Sequence, residues 1–467
     1  MTGNVINTNH LRLAVVRALT EPSILFLSVW LAAWLRFGGG IEFWPANSLT
    51  PLWPKALVFT LAGVFAMVST GLYNPRLRDG LPGVMVRLAV AHAFLAVLVG
   101  VVFYVVPSLE LGRGVLGIAL AVSLVSLGAF RWLHMGVLAR QQVHRRVLVL
   151  GAGVRASHLL RFRRRTDFIG IDFVGFVPMP GDDLHVPEDR CVDLEHDLRR
   201  YVALNGIDQL VIAVDDRRHG LPMEALLACR TQGVDVVDLV SFLEKELGLL
   251  KLDIMNPGWL VFSPGFNKRM FRLWVKRLFD VLVSGSLLVA TLPLMLLTAL
   301  AIWLESGGRG PILYRQVRVG EEGVPFELIK FRSMKVDAEA GGKAQWAQKS
   351  DPRVTRIGRF IRKYRVDELP QLINILSGRM SFVGPRPERP EFVTDLERQV
   401  PYYAERHRVK PGLTGWAQVR YPYGSSREDA FQKLQFDLYY AKNHSVLMDV
   451  SILLQTAEVV LLGRGAR

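Results

Sequence analysis

Two adjacent carboxylates, Asp367 and Glu368, stand just behind a run of cations. Arg353, Arg356, Arg359 and Arg362 recur at every third position, joined by Lys363 and Arg365. Arginines this dense, without acids between them, suit anions, and the planar guanidinium fork matches phosphate oxygens. The alternative is a basic face resting on anionic lipid headgroups. An Asp-Glu pair alone often caps a helix. Beside so many cations it reads instead as a nucleophile or a metal site. An ionised carboxylate can attack a phosphoryl centre and give an acyl phosphate. Bringing it to a diphosphate requires charge neutralisation, which arginines and Mg2+ supply.

The elements that must position these groups follow from local signals. Asp351-Pro352 predicts a helix start, so that the arginines drift round one side of a helix. Pro370 and the spacing of Leu369, Leu372, Ile373 and Leu376 predict a second helix. Its N-terminal dipole, and the arginines nearby, favour ionised Asp367 and Glu368. Upstream, Lys330-Phe331-Arg332-Ser333-Met334 sets two cations around an aromatic. Downstream, Ser381–Pro387 forms a rigid turn presenting Arg386. Pro411–Gln418 forms a glycine-rich turn whose Trp416 is placed to stack on a base.

The chain of 467 residues is half hydrophobic and carries a net charge of +15, with a mean hydropathy of +0.25. The charge fits an anionic membrane surface or phosphorylated substrates. Nucleic acid is disfavoured, since neither zinc-finger spacing nor an RNA-binding aromatic motif is present. Cys191 and Cys229 fit no disulfide framework or metal-ligand pattern. Apolar runs at Val15–Leu35, Trp53–Leu72, Val84–Val106 and Val115–Leu133 each approach the roughly 20 residues a membrane helix needs. Arginines cluster before the first run, between the second and third, and after the fourth, which places those ends in the cytoplasm. Arg17 and Glu21 are spaced to pair within the first helix.

From Arg146 the pattern becomes that of a doubly wound α/β unit. Val147–Leu150, Phe173–Val177, Gln209–Val214 and Val234–Val240 read as parallel strands, with a Gly151-Ala152-Gly153 turn after the first. That turn could cradle a pyrophosphate, but the second strand ends in Val-Pro with no acid to hold a ribose. A regulatory or assembly domain that keeps only the fold is expected. Further on, Val281–Leu304 is apolar, with Lys276 and Arg277 before it and Arg309 and Arg315 after it. Basic residues at both ends, with Pro293 mid-run, predict a kinked re-entrant hairpin that returns to the same membrane face.

Five strings recur in order: Lys276–Asp280, Lys330–Met334, Asp367–Leu372, Gly384–Pro387 and Pro411–Trp416. In these the chain, from about Phe271 onward, resembles the bacterial sugar transferases, the monotopic polyprenyl-phosphate phosphoglycosyl transferases. With its N-terminal helices and Rossmann-like unit it is similar to the large forms, on their exopolysaccharide-associated branch. The resemblance implies that Asp367 attacks a UDP-sugar, releases UMP, and passes the phosphosugar to undecaprenyl (polyprenyl) phosphate through a covalent aspartyl intermediate. It implies Glu368 as partner, Asp367 and Glu368 as Mg2+ ligands, and Lys330, Arg332, Arg362 and Arg386 as substrate-binding cations. Arg365 departs from the small or apolar residues usual before the acid pair, and Leu292-Pro293 from the usual Ser-Pro.

The expected fold is therefore a membrane protein, α and α/β. It has a four-helix transmembrane region at 1–140 and a Rossmann-like α/β domain at 145–250. A mostly α-helical catalytic domain follows at 266–467, with a re-entrant hairpin at 274–304. The expected place is the bacterial cytoplasmic membrane, multi-pass, with the catalytic domain on the cytoplasmic side and a homodimer as the assembly. Two rival functions fit the sequence less well. A membrane-bound nucleotide-sugar dehydratase-like oxidoreductase needs Tyr-x-x-x-Lys, but Tyr201 is followed four residues on by Asn205. A non-catalytic polysaccharide assembly scaffold does not explain the acid pair and its arginines.

Overall fold

A computed structural model describes residues 8–38, 52–73, 81–140, 144–162, 168, 170–194, 197–216, 221–266, 270–335, 353–421, 424 and 426–461. By its contacts the chain divides into two compact units, Met1–Leu247 and Gly248–Arg467.

The first unit opens with long apolar helices α1 (Thr8–Phe37), α2 (Leu52–Ser69), α3 (Leu81–Val105) and α4 (Arg113–Arg140). Leu25, Phe59, Leu88 and Leu127 are buried between them, while Trp34, Phe65, Val97 and Val125 face outward. Apolar side chains on the outer face of a bundle suit lipid better than water. Glu21 and Arg131, both buried, form an ion pair at 2.8 Å between α1 and α4. The sequence expectation had Glu21 pairing within its own helix with Arg17. Arg17 lies within the field of Glu21, and helix packing brings Arg131 onto the same carboxylate, so that two charges that lose water on burial face each other.

A parallel sheet follows, from β1 (Arg145–Leu150), α5 (Val154–Leu160), β2 (Ile171–Val177), α6 (Leu198–Leu204), β3 (Gln209–Ile212), α7 (Met223–Thr231), β4 (Asp235–Asp238) and α8 (Leu239–Leu247). The strand order is β2-β1-β3-β4, all parallel. Gly151 has φ +119°, and a Cβ there would lie 2.7 Å from the Ala213 backbone, so the turn after β1 requires glycine. The amides of this turn are occupied by the chain itself. Asp182 accepts from Ala152 N at 3.0 Å, and Asp215 accepts from Val154 N and Arg155 N, each at 2.8 Å. Carboxylates thus sit where a pyrophosphate would bind in a working dinucleotide fold.

The second unit contains α9 (Pro257–Phe262), α10 (Met270–Glu305), β5 (Leu313–Val319), β6 (Pro325–Phe331), α11 (Arg356–Lys363), α12 (Gln371–Leu376), β7 (Ser381–Val383), α13 (Pro390–Gln399), β8 (Gly412–Thr414), α14 (Trp416–Arg420), α15 (Arg427–Asn443) and α16 (Val446–Leu461). β5 and β6 form an antiparallel ribbon, and β7 pairs in parallel with β8. With α10 included, five helices of the described residues are long and apolar enough to cross a membrane, and the chain reads as a membrane protein.

α10 is a single 36-residue helix with Pro293 inside it. Near its start Lys276 pairs with Asp449 at 2.6 Å. Arg277 donates to the carbonyls of Ile375 and Leu376, each at 2.7 Å, satisfying the free end of α12. Asp280, also buried, accepts from Ser381 Oγ at 3.1 Å and Phe382 N at 3.0 Å, fixing β7. At the far end Ile302 packs with Phe331, Ile361 and Val366. Glu305 there accepts from Arg356 N at 2.8 Å and Ile357 N at 3.2 Å.

The arginine helix begins later than predicted. α11 starts at Arg356, capped by the Thr355 hydroxyl, which accepts from Gly358 N, so Arg353 lies ahead of the helix. Asp351 and Pro352, the predicted start, lie outside the described residues. The apolar C-terminal segment forms α16, whose Ile452 is buried against the core of this unit.

Candidate active site

Arg365 adopts a left-handed conformation with φ 58° and ends α11. The chain then makes a 3-10 turn, Val366–Glu368, whose three residues are all buried, before α12 begins. This sharp reversal places Asp367 and Glu368 under α11. Lys330, near the end of β6, comes from one side. Arg386, on the turn after β7, comes from another.

Glu368 gathers the cations on one oxygen: Arg365 at 3.2 Å, Arg386 at 3.5 Å and Lys330 at 3.6 Å. Burial alone would raise its pKa, but Lys330, Arg386 and Arg365 together outweigh burial and hold the carboxyl at about 2. Asp367 goes the other way. Burial, then the charge of Glu368, push it up to about 6, against the pull of Lys330, Arg365 and Arg362. The sequence expectation is that the helix dipole and the arginines favour both acids as anions. The neighbouring residue takes the cations, and Asp367 is left in its field. One Asp367 carboxylate oxygen is buried with no hydrogen-bond partner among the described residues.

Lys330 and Arg386 also line a small cleft, together with Arg318 and Gln371. Burial lowers the Lys330 pKa, against the pull of Glu368. Of the sequence candidates, Asp367, Glu368, Lys330 and Arg386 therefore converge, and Arg362 lies within the field of Asp367. Arg332 is buried, with one guanidinium nitrogen lacking a partner among the described residues. Arg365, marked in the sequence as a departure, belongs to the cluster.

Trp416 does not serve as a platform for a base. It is buried, stacks on Tyr439 and donates its indole N–H to Gly248 O at 2.7 Å. The glycines around it have a packing reason. A Cβ on Gly384 would overlap the Lys410 carbonyl, so the two turns can touch only without side chains.

Sequence reasoning missed the supports. Asn374 accepts from Ile329 N at 3.0 Å and donates to Glu327 O at 2.8 Å, fixing the strand that carries Lys330. Beneath Arg386, Arg406 donates to the Arg386 carbonyl at 3.0 Å and to Asp437 at 2.7 Å. Both partners of this second pair are buried. These contacts join residues far apart in sequence, and no local spacing announces them.

Among the described residues no three His, Cys, Asp or Glu side chains form a metal cage. Mg2+ commonly needs less, since it is held by one or two carboxylates together with substrate phosphates and water. Asp367, with its unpartnered oxygen, beside Glu368 fits that kind of site.

An acid pair in a cluster of cations, on a helix-rich unit with a long apolar helix, is the arrangement of an enzyme acting on phosphate at a membrane. Residues 271–463 match the bacterial sugar transferase family. An Aeromonas hydrophila UDP-N-acetylgalactosamine-undecaprenyl-phosphate N-acetylgalactosaminephosphotransferase is 41% identical over 54% of this chain and 58% of its own length. A Xanthomonas campestris pv. campestris UDP-glucose:undecaprenyl-phosphate glucose-1-phosphate transferase is 33% identical over 75% of each chain. The Rhizobium leguminosarum bv. phaseoli exopolysaccharide production protein PSS is 42% identical over 39% of this chain and 94% of its own length. The chain belongs to the bacterial sugar transferase family.

Proposed function

We propose that the chain transfers a sugar 1-phosphate from a UDP-sugar to undecaprenyl phosphate and releases UMP, as the first membrane step of exopolysaccharide synthesis. The observation that carries this is the unequal acid pair. Asp367 has a buried, unpartnered oxygen, while Glu368 holds Lys330, Arg365 and Arg386. The Aeromonas hydrophila and Xanthomonas campestris relatives named above act on these classes of donor and acceptor.

In the first step an Asp367 oxygen attacks the sugar-bearing phosphorus. A carboxylate–phosphorus bond forms, and the bond from phosphorus to the bridging oxygen breaks. UMP departs with that oxygen and the electron pair. In the second step a phosphate oxygen of undecaprenyl phosphate attacks the same phosphorus, and the Asp367 carboxylate is released. Glu368 keeps the three cations pointed at the diphosphate, and Arg362 adds charge on the Asp367 side. Mg2+, held by Asp367 and Glu368, would neutralise charge on the diphosphate.

The membrane placement is part of the same proposal. α10 enters and leaves on one face as a re-entrant hairpin, with the catalytic unit on the cytoplasmic side of the bacterial inner membrane. Its anchoring at both ends to one unit supports this. The protein acts as a homodimer, as its likeness to large family members implies.

The test is trapping with labelled UDP-sugar donor. The labelled peptide is expected to contain Asp367, and Asp367→Asn is expected to lose UMP release while remaining folded. A fully active Asp367→Asn variant would refute the nucleophile. A panel of UDP-sugars in the same assay identifies the sugar.

A further inference from the structure

Arg318 lines the cleft beside Lys330 and Arg386, and no step above uses it. It lies on β5, where Tyr314 is paired with Lys330 and Arg318 with Phe326. Residues an even number apart along a strand share a face, and directly paired residues share one too. Arg318 therefore lies on the same face of the ribbon as Lys330. Its Nη1 donates to the Pro387 carbonyl at 3.2 Å and sits 3.7 Å from a Glu388 carboxylate oxygen, and its Nη2 donates to Gln316 Oε1. The Nε–H is buried with no hydrogen-bond partner among the described residues.

The charges around it are unbalanced. Burial lowers the Arg318 pKa, and the positive charges of Arg386 and Arg389 lower it further, against Glu388. Lys330 in turn lies in the field of Arg386 and Arg318. Cations that repel one another round one cleft are arranged for an anion. Position supplies the rest. Asp367 feels Lys330, Arg365 and Arg362, while Arg318 feels Arg386 and Glu388. Arg386 touches Glu368 and so spans the two groups. A nucleoside diphosphate sugar has two phosphates. In the proposed reaction the attacked one lies at Asp367, which leaves the other for the cleft that Arg318, Lys330 and Arg386 line.

We propose that Arg318 binds the nucleotide-side phosphate of the donor and holds it as UMP leaves. This rests on the proposed transfer reaction and gives the donor its direction in the cleft. When the phosphorus–oxygen bond breaks, the departing phosphate gains a negative charge. A preorganised cation with a free N–H stabilises that charge where it develops.

The experiment measures UMP binding by calorimetry on the full-length, detergent-solubilised protein, with kinetics for donor and acceptor. In Arg318→Ala, UMP affinity is expected to fall about tenfold or more, as for loss of a charge-assisted hydrogen bond. Turnover of donor is expected to fall by about 100-fold, with the KM for undecaprenyl phosphate unchanged. Arg318→Lys keeps charge but not the fork, and is expected to fall between the two. It also serves if the alanine variant does not fold. Unaltered UMP affinity in either folded variant would overturn the proposal. So would an equal loss in donor and acceptor KM, which marks Arg318 as only a brace for the Pro387 turn. If wild-type protein never labels at Asp367 but UMP binding still depends on Arg318, the aspartyl intermediate fails and this assignment stands.

Discussion

Asp367 and Glu368 are chain neighbours of similar chemistry, yet their surroundings drive them apart, to about 6 and about 2. The acid with the partners is the quiet one. Glu368 absorbs the cations that would otherwise tie Asp367 down, which suits the nucleophile proposed for Asp367. That freedom destabilises the fold. The folded state holds the Asp367 proton to a higher pH than the unfolded chain, so stability falls as pH rises from 3.8 to about 6 and stays lower above that. The shift corresponds to about 3 kcal/mol. Glu368 has the opposite sign: its contribution is complete above 4.5 and is lost as pH falls toward 2. With EDTA present at pH 8, Asp367→Asn is therefore expected to melt above wild type, the gain disappearing below about pH 4. An equal or lower melting temperature at pH 8 would show that burial does not strain this carboxylate.

At the scale of elements, α11 illustrates how a distant residue sets a local boundary. Glu305, at the end of α10, accepts from the first two amides of α11, with Thr355 capping beside it. Glu305→Ala is expected to cost about 1 kcal/mol, the usual worth of a cap. It should also lower UMP release, because α11 carries Arg362; Glu305→Gln should retain most of both. A thermal melt alongside the release assay checks this. The same helix shows what was legible in the sequence. The acid pair, Lys330 and Arg386 were readable because each stands in a short string whose chemistry is complete in itself. The start of α11 was not, because two good caps, Asp351 and Thr355, lay close together and tertiary contact with Glu305 goes with the second. Arg318 was hidden for a related reason: its face depends on the register of β5 against β6, which single-strand spacing does not reveal. Trp416 was misread because a glycine-rich turn suggests exposure, whereas close backbone packing pulled the ring inward. The Rossmann-like strands were readable as runs of apolar residues. The filling of their glycine turn by Asp182 and Asp215 was not, since both acids come from loops far along the chain.

For the whole molecule, the side of the membrane on which the second unit lies is the decisive question. In a background with Cys191 and Cys229 replaced by serine, a cysteine at the exposed position Arg309 is expected to react only with reagent supplied from the cytoplasm. Labelling from outside the cell would make α10 a simple crossing. The anchoring of α10 then has a mechanical result. Lys276, Arg277 and Asp280 at one end and Glu305 at the other tie the apolar α10 to the body that carries the acids. Helix and body can therefore move only together. With the membrane placement and the acceptor proposed above, the depth of the cleft would follow that of α10, and an acceptor whose own phosphate floats at the bilayer surface would reach it without being lifted from the lipid.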